Sequence, residues 1–338
     1  RGVIALSARG HAKATLMAVR LDDVQAAQHV IGEILTPTPL LPAPALGPDV
    51  WLKLENVNLT GSFKIRGALN AVANLDMDAE ARGVIAASSG NHAQGLAYAA
   101  NSRQVSAKIV MPRATPQRKI DGVTRYGAEA VVVDGDYDHA EATARKLAVD
   151  EGRTFVSAYN DPHVIAGQGT IALEILEQTR TNGVEDTNLR VLVCVSGGGL
   201  IAGIALALKA LRPDIEVIGV GAERSPAMYN RFHGTARPAN EDTLAEALAG
   251  DIEDGCITVP IVKEHVDDIV LVSEADIAEA MRWAVLHGGF VAEGGGAVCL
   301  AALRSGAVPA EAYGPTVALV SGGNADPATI QRVVCADV

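Results

Sequence analysis

The chain has 338 residues, 49% of them hydrophobic and 20% charged, enough apolar material for two packed lobes and too much for wholesale disorder. A formal net charge of −12 repels nucleic acid and anionic membrane surfaces, so neither is expected as a partner. Aromatics are scarce at 4% while glycine reaches 34 residues and alanine is abundant, a mix suited to helices packed closely on a sheet.

In chain order, Arg1–Leu16 contains Arg, His and Lys but no acid, and Met17 reads as a natural start. Residues 1–16 are therefore set aside as leader or tag. An amphipathic helix is expected over Leu21–Ile31, then a proline-stiffened extended segment, Thr36–Leu40. Val50–Leu54 reads as a strand, Asn58–Gly61 as a turn, and a helix begins near Ser62. Strands at Val84–Ala87, Ala107–Met111, Ala130–Val133 and Thr154–Val156 alternate with helices at Ala93–Ala100, Gln117–Tyr126 and His139–Asp150. A long helix, Gly167–Arg180, restarts the pattern. Strand Val191–Val195, helix Ile201–Leu211, strand Val217–Val220, strand Ile269–Val272, a helix from Glu274 and strand Thr316–Val320 follow.

Val191–Leu208 carries no charge and approaches the length of a membrane span. Ser196-Gly197-Gly198-Gly199 interrupts it, so a buried strand, a turn and a helix are expected instead. The four cysteines, Cys194, Cys256, Cys299 and Cys335, are widely spaced and include no CxxC. They read as buried small apolar residues in a reducing, cytoplasmic compartment. The alternation predicts an α/β fold of two interleaved lobes, each a mostly parallel twisted sheet covered by helices.

Four segments carry chemistry. In Thr60-Gly61-Ser62-Phe63-Lys64-Ile65-Arg66-Gly67, Ser62 is placed to cap a helix and Lys64 falls in its first turn. The helix dipole and desolvation both lower the pKa of such a lysine, which favours nucleophilic amine chemistry. The bland alternative is a lysine facing solvent, its stem covering apolar surface. Ser88-Ser89-Gly90-Asn91-His92 joins a strand to a helix, where backbone N–H groups suit an anion and Asn91 can donate and accept at once. A polar capping loop is the alternative. Ser196-Gly197-Gly198-Gly199-Leu200 lets the backbone wrap a phosphate. It is neither a Walker loop nor a dinucleotide fingerprint, and a tight structural turn is its alternative. Ser321-Gly322-Gly323-Asn324 follows the last strand, at the carboxyl end where open α/β sheets hold ligands. It too could be a plain glycine turn.

Together, in this order and at these separations, the four segments resemble the tryptophan-synthase-β-like superfamily of pyridoxal-phosphate (PLP) enzymes, fold type II. The resemblance runs from about Leu21 to Asn324. Ile65 and His92 resemble the serine/threonine dehydratase and serine racemase branch rather than the cysteine-synthase relatives, and so do Tyr159-Asn160-Asp161 and Ala166–Thr170. The resemblance implies a large PLP-binding domain over 17–83 and 153–338 and a small domain over 84–152. It implies that Lys64 carries the cofactor as an imine and is the base at the substrate Cα. Phe63 would flank the pyridine ring, Asn91 would hold its hydroxyl, and Ser321 would hydrogen-bond its nitrogen. Gly197, Gly198, Gly199 and Leu200 would cradle the phosphate, with Asn160 nearby. Ser88, Ser89, Asn91 and His92 would bind the substrate, and Ser89 would be the acid/base on the opposite face in a racemase.

The sequence departs from the family in two places. Ser196 stands where the first of four glycines is usual, and Tyr229 stands where relatives with a divalent cation have a second acid. Glu223 and Ala227 would be the remaining contacts, and no metal is expected. The resemblance implies an ammonia-lyase that converts a small β-hydroxy amino acid, of the L-threonine or L-serine type, to a 2-oxo acid and ammonia, acting as a homodimer. Serine racemisation and dehydration of a specialised substrate, hydroxyaspartate or a hydroxyectoine-derived compound, stand beside it. A regulator that binds a phosphate ligand on the same fold is the non-enzyme alternative.

Overall fold

The computed structural model describes residues 19–184, 188–240, 242–310 and 314–335. The segment expected to be leader or tag, residues 1–16, lies outside them. Ten strands build two sheets: β1 (Leu40–Pro42), β2 (Val50–Leu54), β3 (Val84–Ala87), β4 (Ala107–Pro112), β5 (Glu129–Val133), β6 (Thr154–Phe155), β7 (Arg190–Cys194), β8 (Glu216–Ala222), β9 (Asp268–Val272) and β10 (Thr316–Val320). The six-stranded sheet has the order β1-β2-β10-β7-β8-β9, and the four-stranded sheet has the order β5-β4-β3-β6. Every pairing is parallel except β1 with β2.

The chain starts in the large sheet, leaves it after β2, builds the small sheet and returns at β7. The α/β fold of interleaved lobes is thus as expected. The small sheet ends at Phe155, so the limit expected at 152 falls just short of β6, which pairs with β3. The central strands β7 and β10 are buried along their whole length, as continuous aliphatic runs require in parallel sheets covered on both faces.

Helices Lys64–Ala73, Pro162–Thr181 and Gly199–Leu211 pack side by side, and their glycines set the spacing. A Cβ on Gly203 would sit 2.2 Å from the Ile165 carbonyl oxygen, and one on Gly67 would sit 2.4 Å from Gln168. Under these helices lies a buried ion cluster. Arg66 donates to both oxygens of Glu55 and both oxygens of Glu174, and Lys53 donates to Glu174, Gln178 and the Thr38 carbonyl. Lys53, Glu55 and Arg66 are fully buried, and the two cations balance the two carboxylates. Buried charge persists only when paired and hydrogen-bonded in this way.

The uncharged stretch Val191–Leu208 falls in β7 and helix Gly199–Leu211 with the glycine turn between them, and no described helix is long and apolar enough to cross a membrane. Cys194, Cys256 and Cys299 are buried, as expected, but Cys335 is exposed. Five helices escape the sequence reading: Met77–Arg82, Ala227–His233, Thr258–His265, Gly294–Ser305 and Pro327–Val334. The second expected helix also starts later than its apparent cap. Phe63 occupies the N-cap position without a side-chain bond, while Ser62 bridges to Gly322 and its hydroxyl has no partner.

Candidate active site

Strands β3, β7 and β10 present their carboxyl ends to a common cleft between the sheets, and each end is followed by one of the segments singled out in sequence. Helix Lys64–Ala73 enters the cleft from the side. Its first residue, Lys64, points its Nζ to the Ala158 carbonyl at 2.8 Å, just after β6. The Phe63 ring lies beneath, 5.1 Å from Nζ, and the Phe63 N–H donates to Ser321 O. Burial pulls the Lys64 ammonium down to about 8, against a weaker upward pull from Cys194 and Glu293. The amine has no carboxylate partner among the described ion pairs, and so a substantial neutral fraction exists near neutral pH.

The loop after β7 passes over Tyr159. Gly198 has φ +88, and a Cβ there would lie 2.5 Å from Met228. Cβ atoms on Gly197 and Gly199 would run into Tyr159, at 2.5 and 2.8 Å. Thr258 secures the loop by donating to Gly197 O at 2.7 Å. The helix opens at Gly199 with Leu200 in its first turn, and the N–H groups of that turn have no carbonyl four residues back to bond. Such donors at a positive helix end form an anion cradle.

Asn160, next to Tyr159, is turned to the neighbouring segment: it donates to Glu253 at 2.8 Å and accepts from Ile257 N–H at 2.9 Å. Its amide braces the wall around the loop, and both its ends are occupied. Ser321 is buried, donates to Gly295 O only at the long distance of 3.4 Å, and lies beside the Cys194 thiol, which burial pushes up to about 11.

At the end of β3, Ser88 Oγ accepts from Gly90 N–H at 3.2 Å and Ser89 Oγ pairs with Thr115 Oγ1 at 2.8 Å. Asn91 begins helix Asn91–Ser102, donates to Glu293 Oε1 at 2.5 Å and accepts from Asn324 at 2.7 Å. The His92 ring turns inward. Its Nε2 meets the Val156 carbonyl at 2.9 Å, Nδ1 has no partner, and burial, with Lys64 nearby, lowers it to about 4. That ring is neutral and 3% exposed, so His92 can offer an anion only its backbone N–H.

The residues missed in sequence are Glu293, Thr258, Tyr159 as the loop's floor, and Thr115. Thr258 and Glu293 lie beside helices that were themselves missed. Glu223 is not in this cleft. It lines a separate pocket of about 360 Å³ with Tyr229, His233, Arg237 and Asp268. Ala227 starts the neighbouring helix. Among the described residues no group of three His, Cys, Asp or Glu side chains is placed to hold a metal.

A desolvated amine of lowered basicity, an anion cradle, a flanking aromatic ring and the loosely bonded Ser321 hydroxyl fit a planar, phosphorylated aromatic aldehyde. The buried hydroxyls of Thr60 and Ser62, unpartnered in this structure, lie in the segment leading into Lys64. Residues 31–322 match the family described as "Pyridoxal-phosphate dependent enzyme". The chain is 41% identical to an L-threonine ammonia-lyase of Thermotoga maritima, over 94% of this chain and 78% of the relative. It is 39% identical to the catabolic L-threonine dehydratase TdcB of Escherichia coli, over 84% of this chain and 85% of the relative. Its fold is similar to that of maize serine racemase, with a TM-score of 0.84 at 30% identity, covering 94% of this chain and 98% of the racemase.

Proposed function

The chain belongs to the family of pyridoxal-phosphate dependent enzymes, and on that basis we propose that it dehydrates and deaminates a small β-hydroxy amino acid of the L-threonine or L-serine type, releasing a 2-oxo acid and ammonia. The observation that carries this reading is the desolvated Lys64 amine, with Nζ held at Ala158 O, next to the Tyr159 on which the glycine loop rests. The two curated relatives that cover most of the chain bear the names of L-threonine ammonia-lyase and dehydratase, which supports the substrate class.

Pyridoxal phosphate, when bound, supplies an aldehyde for an amine and a conjugated ring that takes up charge from Cα. The protein's part is positional and protonic. N–H groups of Gly197, Gly198, Gly199 and Leu200 anchor the phosphate, and Ser321 Oγ turns from its long bond with Gly295 O toward the ring nitrogen. Phe63 supports one ring face, and Asn91 holds the ring hydroxyl. Lys64 Nζ, neutral in part at pH 7, removes the Cα proton, a contribution of ~10²–10⁴-fold for a positioned base. N–H groups of the Ser88–His92 turn receive the substrate carboxylate. Packing of helix Asn91–Ser102 against Lys64, where a Cβ on Gly95 would lie 3.1 Å from the Lys64 carbonyl carbon, keeps water from the lysine's back.

Serine racemisation is the second reading. It is favoured by Ser89, whose hydroxyl has a relay partner in Thr115 at 2.8 Å, as a proton carrier requires. A homodimer is the proposed assembly. Exposed Val57, Leu59, Leu286 and Val291 support it, with Asn56 tying the first segment to the Val291 carbonyl at 3.0 Å. The buried thiols suit a reducing cytoplasm.

The test is 2-oxo acid release across a panel of β-hydroxy amino acids, by the wild-type chain and by Lys64→Ala. Turnover of L-threonine or L-serine that vanishes in the variant, together with its yellow absorbance, is expected. Full turnover in the variant would overturn the proposal, and D-serine formation that Ser89→Ala abolishes would establish the second reading.

A further inference from the structure

Glu293 carries no motif in the sequence, yet it meets the site from the side of the large sheet. It precedes helix Gly294–Ser305, its N–H donates to Gly322 O at 3.0 Å, and its carboxyl receives the Asn91 amide. Asn91 belongs to the helix that follows β3 of the small sheet. Asn324, beyond β10 of the large sheet, donates to Asn91 Oδ1 and to Thr60 O. The side chain of Asn91 is therefore gripped at both ends by the opposite lobe. Gly322 leaves the room for this grip, since a Cβ there would fall 2.3 Å from Glu293 Oε1 and 3.2 Å from Asn91 Nδ2.

We infer that Glu293 is a positioning residue for the cofactor: as a carboxylate it locks the amide of Asn91 in one orientation across the cleft, and on gaining a proton it releases that lock. A carboxylate only accepts, so Asn91 must turn Nδ2 toward it and Oδ1 toward the Asn324 donor, leaving one N–H for the cofactor's ring substituent. A protonated carboxyl can donate as well as accept. The bond then loses its charge assistance, and the Asn324 donor alone is left to hold the amide orientation. Charged and titratable groups facing Glu293 are Lys64, Lys119, Glu246 and Cys194. Lys119, 3.2 Å from Glu246, is thereby partly neutralised, and no described ion pair includes Glu293. Burial outweighs the Asn91 bond and Lys119, which holds the carboxyl at about 7. The lock thus opens and closes within the physiological range.

This inference rests on the proposed cofactor role of Asn91, and its test needs no substrate. Glu293→Gln keeps the shape and an acceptor but stays neutral. The dissociation constant of pyridoxal phosphate is measured by absorbance for wild type and variant at about pH 6 and about pH 8, on either side of the midpoint near 7. Titration of the phosphate is common to both proteins and cancels in the ratio, while the Lys64 midpoint, which Glu293 raises, is taken for each protein from the pH dependence of its imine chromophore. The expected ratio is near unity at the lower pH and about 5–10-fold in favour of wild type at the higher, the difference between a charge-assisted and a neutral hydrogen bond. A ratio that does not change with pH overturns the inference. Infrared difference spectra of the wild-type protein give a second readout should the variant fail to fold: a protonated-carboxyl band that titrates near 7 supports the lock, and none refutes it. A protein that passes both tests yet releases no 2-oxo acid refutes the proposed reaction and not this one.

Discussion

Lys64 Nζ lies 2.8 Å from the carbonyl oxygen of Ala158, a residue 94 positions away that follows the last strand of the small sheet. The bond takes up one proton of the amine and aims it across the cleft, while desolvation lowers its affinity for the charge. The sign follows directly. Burial disfavours the ammonium, so the neutral, reactive fraction grows as pH rises, reaches one half at about 8 and saturates above that midpoint.

Loading of cofactor-free protein with pyridoxal phosphate is therefore expected to accelerate with pH around a midpoint of about 8 and to level off beyond it. The rate of appearance of the chromophore in stopped flow checks this. An exposed lysine would keep gaining rate toward its ordinary value near 10.4, so a steep rise that continues well past pH 9 (about one unit beyond the midpoint) would contradict the desolvated amine.

Two glycine-to-alanine changes should separate cradle from core. Gly197→Ala sets a methyl 2.5 Å from the Tyr159 ring at the phosphate loop, and Gly203→Ala sets one 2.2 Å from Ile165 O between two buried helices. The first is expected to weaken cofactor binding by at least about tenfold, equivalent to about 1.4 kcal/mol, with little change in the stability of cofactor-free protein. The second is expected to cost about 1–3 kcal/mol of stability through overpacking. Cofactor titration and denaturant unfolding of both variants provide the comparison. Equal effects of the two changes on cofactor affinity would deny the loop its special role.

Removing Arg66 should be far more damaging than its distance from the reacting atoms suggests. Its guanidinium holds both carboxylates of the buried cluster, Glu55 and Glu174. Arg66→Leu leaves one of them without compensation and is expected to cost about 3–5 kcal/mol. Chemical denaturation measures this, and a loss below about 1 kcal/mol would mean that water or a neighbour replaces the cation.

Much of the fold was legible because its strands are short, mostly apolar runs bounded by polar or turn residues. Val84–Ala87, Val50–Leu54 and Thr316–Val320 appear in the structure with the limits expected, since a run bounded by turn residues and buried on both faces has no competing period. Lys64 and the glycine loop were legible for a related reason: a cation in a first helical turn and consecutive glycines after a strand are each costly without a partner. The helix Gly294–Ser305 was hidden by the opposite effect. Three glycines at its start carry no helix signal, yet Cβ atoms on Gly294 and Gly296 would meet Leu244 O and Gly322 O at 2.0 and 2.2 Å, so close packing against partners distant in sequence selects them.

The sequence by itself determined much of the alternation of strands and helices, singled out Lys64 and the glycine loop as candidates, and through their resemblance pointed to the family. Ser62 shows the limit: its helix-cap signal was overridden when the backbone bridged to Gly322. Only the tertiary structure decided which side chains face one another: Glu293 on Asn91, Thr258 on the glycine loop, the His92 ring on Val156 and Arg66 between two carboxylates. Local patterns record propensity and period, which neighbours in the chain specify. Desolvation and hydrogen bonding depend on groups that meet only after the two sheets close on each other, and no spacing along the chain encodes that meeting.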